Sequence, residues 1–185
     1  MNWKSLIGQR TPVRTRPMKW LLGLGFFLGL LAIAQAQTWN EIKWQGLVPK
    51  GWDPSKSFQG FDLSKLQDSD PQADALLKKM REVWDSAPVN ESLNGQKIRI
   101  AGFAIPIERK GERVKEFLLV PYFGACVHTP PPPANQIIHA KADRYLEGVQ
   151  MMLPISVSGT LKIQRGQTDW GVSGYSLNVD KVERY

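Results

Sequence analysis

One cysteine and two histidines occur in the chain, and two of these three stand two positions apart: Cys126 and His128. On an extended backbone, side chains at i and i+2 point to the same side. A thiol and an imidazole would then share one space. Four consecutive prolines, Pro130 to Pro133, follow the pair, and His139 comes eleven residues after His128. Each proline has a fixed φ and no backbone donor, so the run reads as a stiff polyproline II rod. It holds the residues before it extended and leaves them little entropy to lose on binding.

This arrangement admits four readings. The first is a metal site, because thiolate and imidazole suit zinc or copper, with zinc favoured. Two ligands do not close such a site. His139 is a third candidate if the loop folds back beside the next strand, and an acid such as Asp143 or a group from a partner protein is a fourth. The second is a Cys/His nucleophile pair, in which the imidazole would hold the sulfur as thiolate. No orienting third group is legible, so no catalytic residue is assigned. The third is a partner-docking loop built from Tyr122, Phe123, Pro130, Pro131, Pro132, Pro133, Asn135 and Gln136, since proline rods flanked by aromatics are recognition elements. The fourth is a buried thiol in a structural loop where Asn135 and Gln136 satisfy backbone groups.

The compartment sharpens the question. Residues 1–19 carry Lys4, Arg10, Arg14, Arg16 and Lys19 and no acid. An apolar run from Trp20 to Ala34 follows, then Ala34-Gln35-Ala36. That order predicts a cleavable signal peptide cut after Ala36 and a periplasmic or secreted product. The run is shorter than the roughly 20 residues a spanning helix needs, so no stable membrane insertion is expected after cleavage. The signal holds five of the 24 Lys and Arg and none of the 17 Asp and Glu, which takes the chain from +7 to +2. The basic character is thus mostly a targeting feature, and nucleic acid is not an expected partner. A lone cysteine in an oxidising compartment is unusual, which makes Cys126 a residue to explain.

Residues 37–185 are enough for one core. They read as a lead-in segment and packing helix over 37–93, then a β-barrel-like domain over 94–185, together one compact unit. In the lead-in, Trp39, Trp44 and Trp52 are scattered among prolines and glycines and read as packing anchors, with an exposed aromatic patch for sugars or a partner as the alternative. Asp70-Pro71 predicts a helix start, and Ala73, Leu76, Leu77, Met80, Val83 and Trp84 mark one face until Pro88. From Asn94-Gly95 onward the period changes to two. Ile98 and Ile100, then Phe103, Ile105 and Ile107, change parity at Ala101-Gly102, which predicts a β-bulge. Arg109 to Glu112 reads as a hairpin loop, Lys115 to Pro121 as a second strand and Gln136 to Ala140 as a short third. Two further strands alternate over Ile155–Ile163 and Tyr175–Val179, with a turn-rich connection over Arg165–Gly171 and with Ser156, Ser158 and Ser176 on the wet side. The expected fold is mainly β with one helix N-terminal to the strands, its core capped by that helix. The strands form a small curled five-stranded barrel resembling an OB-type fold. A fragment of a β-sandwich is the competing arrangement.

The stretch Phe123-Gly124-Ala125-Cys126-Val127-His128-Thr129-Pro130-Pro131-Pro132-Pro133-Ala134-Asn135-Gln136 resembles the signature of a bacterial exported family, the domain of unknown function numbered three-two-nine-nine. Trp44 to Pro49, Gly102 to Pro106, Glu116 to Tyr122 and Val157 to Leu161 extend the resemblance over nearly all of the mature chain. The family has no agreed activity. The resemblance implies a neighbourhood of permease and ATPase components of membrane transport systems, some linked to zinc. It therefore implies an accessory role in metal handling beside an ABC-type transporter component rather than catalysis. Only Cys126 and His128 carry over as site residues, because His139 lies outside the signature.

Overall fold

The computed structural model describes residues 38–58, 71–125, 131–151 and 153–185. The predicted signal peptide and Asp70 lie outside the described residues. Residues Thr38–Tyr185 form one compact unit. Its elements are β1 (Asn40–Glu41), α1 (Pro71–Asp85), β2 (Lys97–Lys110), β3 (Arg113–Val120), β4 (Ile138–Leu146), β5 (Pro154–Thr168) and β6 (Gly171–Arg184).

Strands β2, β3, β4, β6 and β5 are neighbours in that order, and β5 pairs back onto β2. The result is a closed five-stranded barrel. All its pairings are antiparallel except β4 with β6, which is parallel. This is the expected OB-type barrel, and closure removes most of the edges that a flat sheet would expose. The short β1 adds to β2 in parallel, opposing Asn40 to Ile98 and Glu41 to Arg99. Helix α1 precedes the barrel strands, as expected, but it lies well inside the chain rather than at its N-terminus.

The inward residues of the strands make the main core: Ile98, Ile100, Phe117, Leu119, Val157, Leu161, Tyr175 and Leu177 among them. The lead-in segment completes it with fully buried Leu47 and with Trp44 packed alongside, and Leu93 joins from the turn before β2. No described side chain of α1 belongs to that core. The expectation that the helix caps the barrel is therefore corrected, because the lead-in and the Leu93 turn occupy that place. On α1, Leu76 is buried while Leu77 is 58% exposed, so the buried face is narrower than the apolar pattern implied.

The parity change in β2 has a different cause from the one expected. The β2–β5 register runs without a break from Lys97↔Thr160 to Phe103↔Pro154, so there is no bulge at Ala101-Gly102. Instead Phe103 and Ile105 face a second, smaller core outside the barrel, made with Leu118, Val120, Ala125 and Ile137. The unbroken apolar run of β3 follows from the same fact. Phe117 and Leu119 face one core, and Leu118 and Val120 face the other. The irregularity in β2 comes later, between Pro106 and Arg109, where a proline without an N–H interrupts the ladder.

Two further expectations change. Strand β4 is longer than Gln136–Ala140 and starts at Ile138. The stretch Arg165–Gly171 is mostly strand, with register continuing to Thr168↔Gly171. Only Asp169 and Trp170 turn between them. Ser156, Ser158 and Ser176 are buried rather than wet. Arg99 Nε donates to Ser156 Oγ at 2.9 Å, and the guanidinium meets Glu183 at 3.1 Å, so a long charged side chain covers the Ser156 hydroxyl.

Candidate functional site

The described parts of the β3–β4 connection, residues 121–125 and 131–137, lie against the outer face of β2 and β3. Ala125 and Ile137 both plug into the second core, fixing the connection near each end. Gly124 turns the chain at φ 80° just before Ala125. Cys126, His128 and Pro130 lie outside the described residues, together with Val127 and Thr129.

From Pro131 onward the chain is held closely. Pro131 packs against Gly171, where a Cβ would lie 3.0 Å from the Pro131 Cβ. Pro132 is buried. A 3-10 turn over Ala134–Gln136 closes with Gln136 N donating to Pro133 O at 2.7 Å. Asn135 is fully buried and its Nδ2 donates to Pro88 O at 2.9 Å. Gln136 Nε2 donates to the carbonyls of Trp44 (3.0 Å) and Asn135 (3.1 Å). These two side chains therefore bind the loop to the lead-in and to the segment after α1, as the structural reading of the loop expects.

The loop and the lead-in enclose a surface groove of about 470 Å³. Its walls include Trp44, Tyr122, Pro132, Pro133, Gln136 and Tyr185, with Glu41 and Lys43 also lining it. Trp44 is fixed there because its Nε1 donates to Ala101 O at 2.7 Å. Gly102 must lack a side chain for the same reason, since a Cβ would lie 2.9 Å from the indole and 2.7 Å from Val120 O. Tyr122 remains 45% exposed. Phe123 turns elsewhere: it stands edge-on to Phe103 with ring centroids 6.2 Å apart. Of the docking residues chosen from sequence, Tyr122, Pro132, Pro133 and Gln136 thus meet in one groove, Phe123 and Asn135 do not line it, and Pro131 packs on the β5–β6 turn.

His139 occupies a different environment. It lies on β4, and its Nε2 is 2.6 Å from Glu116 Oε1 on β3. Lys141 Nζ reaches the same oxygen at 3.3 Å. Partial burial pushes the Glu116 carboxyl up, but the hydrogen bonds from His139 and Lys141 outweigh it, and the net effect holds the group below the usual carboxylate range. The Nδ1 side faces Gly166, where a Cβ would lie 3.1 Å from it. The structure thus joins His139 to Glu116 and Lys141. Asp143 is exposed further along β4. Among the described residues no three His, Cys, Asp or Glu side chains are grouped to hold a metal ion.

Sequence reasoning assigned Tyr185, Glu41 and Lys43 no site role, and Trp44 only the alternative of an exposed aromatic patch. Trp44 had a legible signal as a packing anchor, and the structure shows that an anchor can also wall a groove. Tyr185 had none, since its place depends on where β6 ends. Glu116 could be found only by knowing the β3–β4 register, which opposes Glu116 to Lys141 and Leu118 to His139.

A closed OB-type barrel, wrapped by an aromatic lead-in and crossed by a proline-rich loop, defines a small-barrel module with a surface groove. The chain belongs to DUF3299, a family of proteins of unknown function, whose family model matches residues 44–184. Among solved structures it is similar to a DUF3299 family protein from Pseudomonas aeruginosa PAO1, at 31% identity and a TM-score of 0.61. That match covers 80% of this chain and 97% of the other. No curated protein matches the chain.

Proposed function

We propose that this chain is an exported, non-catalytic docking module that supports a membrane transport system, and that its proline-rich loop receives a partner. The observation that carries this reading is the convergence of Tyr122, Pro132, Pro133 and Gln136 with Trp44 and Tyr185 on one groove. Aromatic rings beside rigid prolines present apolar area at low entropic cost, which is the chemistry of recognition grooves. The partner is a component of an ABC-type transporter exposed to the periplasm. A photo-crosslinking side chain in place of Tyr122 tests this in cells. Capture of a transporter subunit that is lost in the Pro132→Ala, Pro133→Ala double variant supports the reading. Equal capture from a position on the far half of β4, such as Asp143, would sink it.

A second reading rests on the spacing of Cys126 and His128 in the five-residue span between Ala125 and Pro131. Such a span can present thiolate and imidazole to one soft or borderline ion, with zinc favoured. His139 is not needed for it, since its Nε2 is engaged with Glu116. Metal content of the mature protein beside that of Cys126→Ala decides the matter. Zinc in the first and none in the second supports the site, and no metal in either removes it.

A further inference from the structure

The barrel is closed, but β1 stands outside the closed ring. It pairs with β2 on one side and ends the sheet on the other. Ile42 N–H donates to Arg99 O at 3.0 Å, so it faces β2. Successive residues of a strand turn their backbone groups to opposite sides. Lys43 continues the extended conformation, with φ −100° and ψ 157°. The N–H and C=O of Glu41 and the N–H of Lys43 therefore face away from β2. These groups have no hydrogen-bond partner among the described residues.

Glu41, Ile42 and Lys43 line the same groove as Trp44 and Tyr122, so the unpaired edge opens into it. A free strand edge is a template for another extended chain. Pro132 and Pro133, which also line the groove, have no N–H to offer. Residues directly opposite one another in a ladder point to the same face. Ile42 and Trp44 both pack against the main core. A partner residue level with Ile42 therefore turns to the face where Trp44 packs. Its two neighbours turn to the other face, beside the exposed side chains of Glu41 and Lys43. Neither of these makes an ion pair among the described residues.

We propose that the partner enters the groove as an extended segment that adds a strand to the free edge of β1. This strand addition rests on the docking reading of the groove and sets the form of what docks. Main-chain bonds to Glu41 and Lys43 supply affinity, and alternate side chains supply selectivity. The segment carries an apolar residue level with Ile42, a basic residue level with Glu41 and an acidic residue level with Lys43, because opposite charges stabilise a cross-strand pair.

The photo-crosslinking side chain in place of Tyr122 tests this in two further backgrounds. Glu41→Pro removes an N–H that faces away from β2, a place where an edge strand tolerates proline. Glu41→Ala removes the same carboxylate and keeps the N–H. Capture of the transporter subunit should fall roughly ten-fold further in Glu41→Pro than in Glu41→Ala, at equal thermal midpoints. Hydrogen exchange over residues 38–46 should slow in the purified adduct of the otherwise natural chain, a measurement that decides even where proline disturbs the lead-in. Equal capture by the two variants at equal midpoints, or unchanged exchange in the adduct, overturns the strand addition and leaves the docking reading standing. Absence of capture by the otherwise natural chain sinks that reading and the strand addition together.

Discussion

The Tyr175 hydroxyl donates to the carbonyl oxygen of Leu47 across 2.6 Å, joining the last strand to the segment that precedes the barrel. The Tyr175 hydroxyl oxygen in turn accepts from the Asn90 backbone N–H at 2.6 Å. Burial pushes the phenol up from its ordinary value, so it stays protonated and able to donate. Replacing Tyr175 by Phe keeps the ring in the core and strands both backbone groups. The expected loss is about 2 kcal/mol of unfolding free energy, read by urea titration. A loss under about 0.5 kcal/mol would show that water takes over both bonds.

Glu116 gives the chain an acid-sensitive element. Its carboxyl is held below the usual range in the folded protein, so its stabilising contribution is present above the unfolded value of about 4.3 and is lost as pH falls through the folded value. Glu116→Gln should therefore be less stable than the natural chain at neutral pH, and the two should converge towards pH 3. Thermal midpoints measured across that window check the sign. A gap that persists unchanged at low pH would contradict it.

Gly159 on β5 lies directly against the backbone of Asn178 on β6. A Cβ there would collide with the backbone oxygen of Asn178 and lie 3.0 Å from its carbonyl carbon. The β5–β6 register also shifts beside it, between Ser158 and Gly159. Backbone cannot move aside as a flexible side-chain end can, so Gly159→Ala should cost at least the roughly 1–3 kcal/mol of an overpacked core. Denaturant unfolding is the measurement, with Gly46→Ala as the comparison, because nothing lies within 4 Å of a Cβ there.

Arg165 ties the helix to the barrel. Its guanidinium donates to the carbonyls of Asp85 (2.6 Å), Ser86 (3.2 Å) and Ala87 (2.5 Å), where α1 ends. It satisfies carbonyls that a helix end leaves free and places positive charge at the negative end of the dipole. The side chain is exposed, so Arg165→Ala should cost only about 1 kcal/mol. Amide exchange should quicken over residues 82–87 while the barrel strands stay protected. Equal loss of protection in β5 would mean that the contact supports the barrel itself.

Much of the barrel is legible in the sequence because its determinants are local. Gly95 and Gly111 adopt φ of 77° and 62°, and each stands in a turn that its neighbours announce. The alternation of Ile155, Val157 and Leu161 marks the inward face of β5 directly. What the sequence conceals is non-local. Phe103 and Ile105 break parity because Ala125 and Ile137, on a loop, build a second core that no periodicity announces. Ser156 is covered by Arg99, a long side chain from β2. The loop chemistry was legible as composition, yet its partition was not. Tyr122 and the prolines line a groove only because Trp44 and Tyr185 arrive from the two ends of the folded unit.

The double-sided burial of β3 has a consequence for how that strand is aligned. A slip of one residue normally sends apolar side chains into water, and that penalty fixes the pairing. Here a slip would trade Phe117 and Leu119 for Leu118 and Val120, and both sets would still be enclosed. Hydrophobicity alone is nearly blind to the alignment of this strand. The left-handed turn at Gly111 and the interruption at Pro106–Arg109 must set it instead. Lengthening that turn by one residue would give two coexisting alignments rather than an unfolded chain.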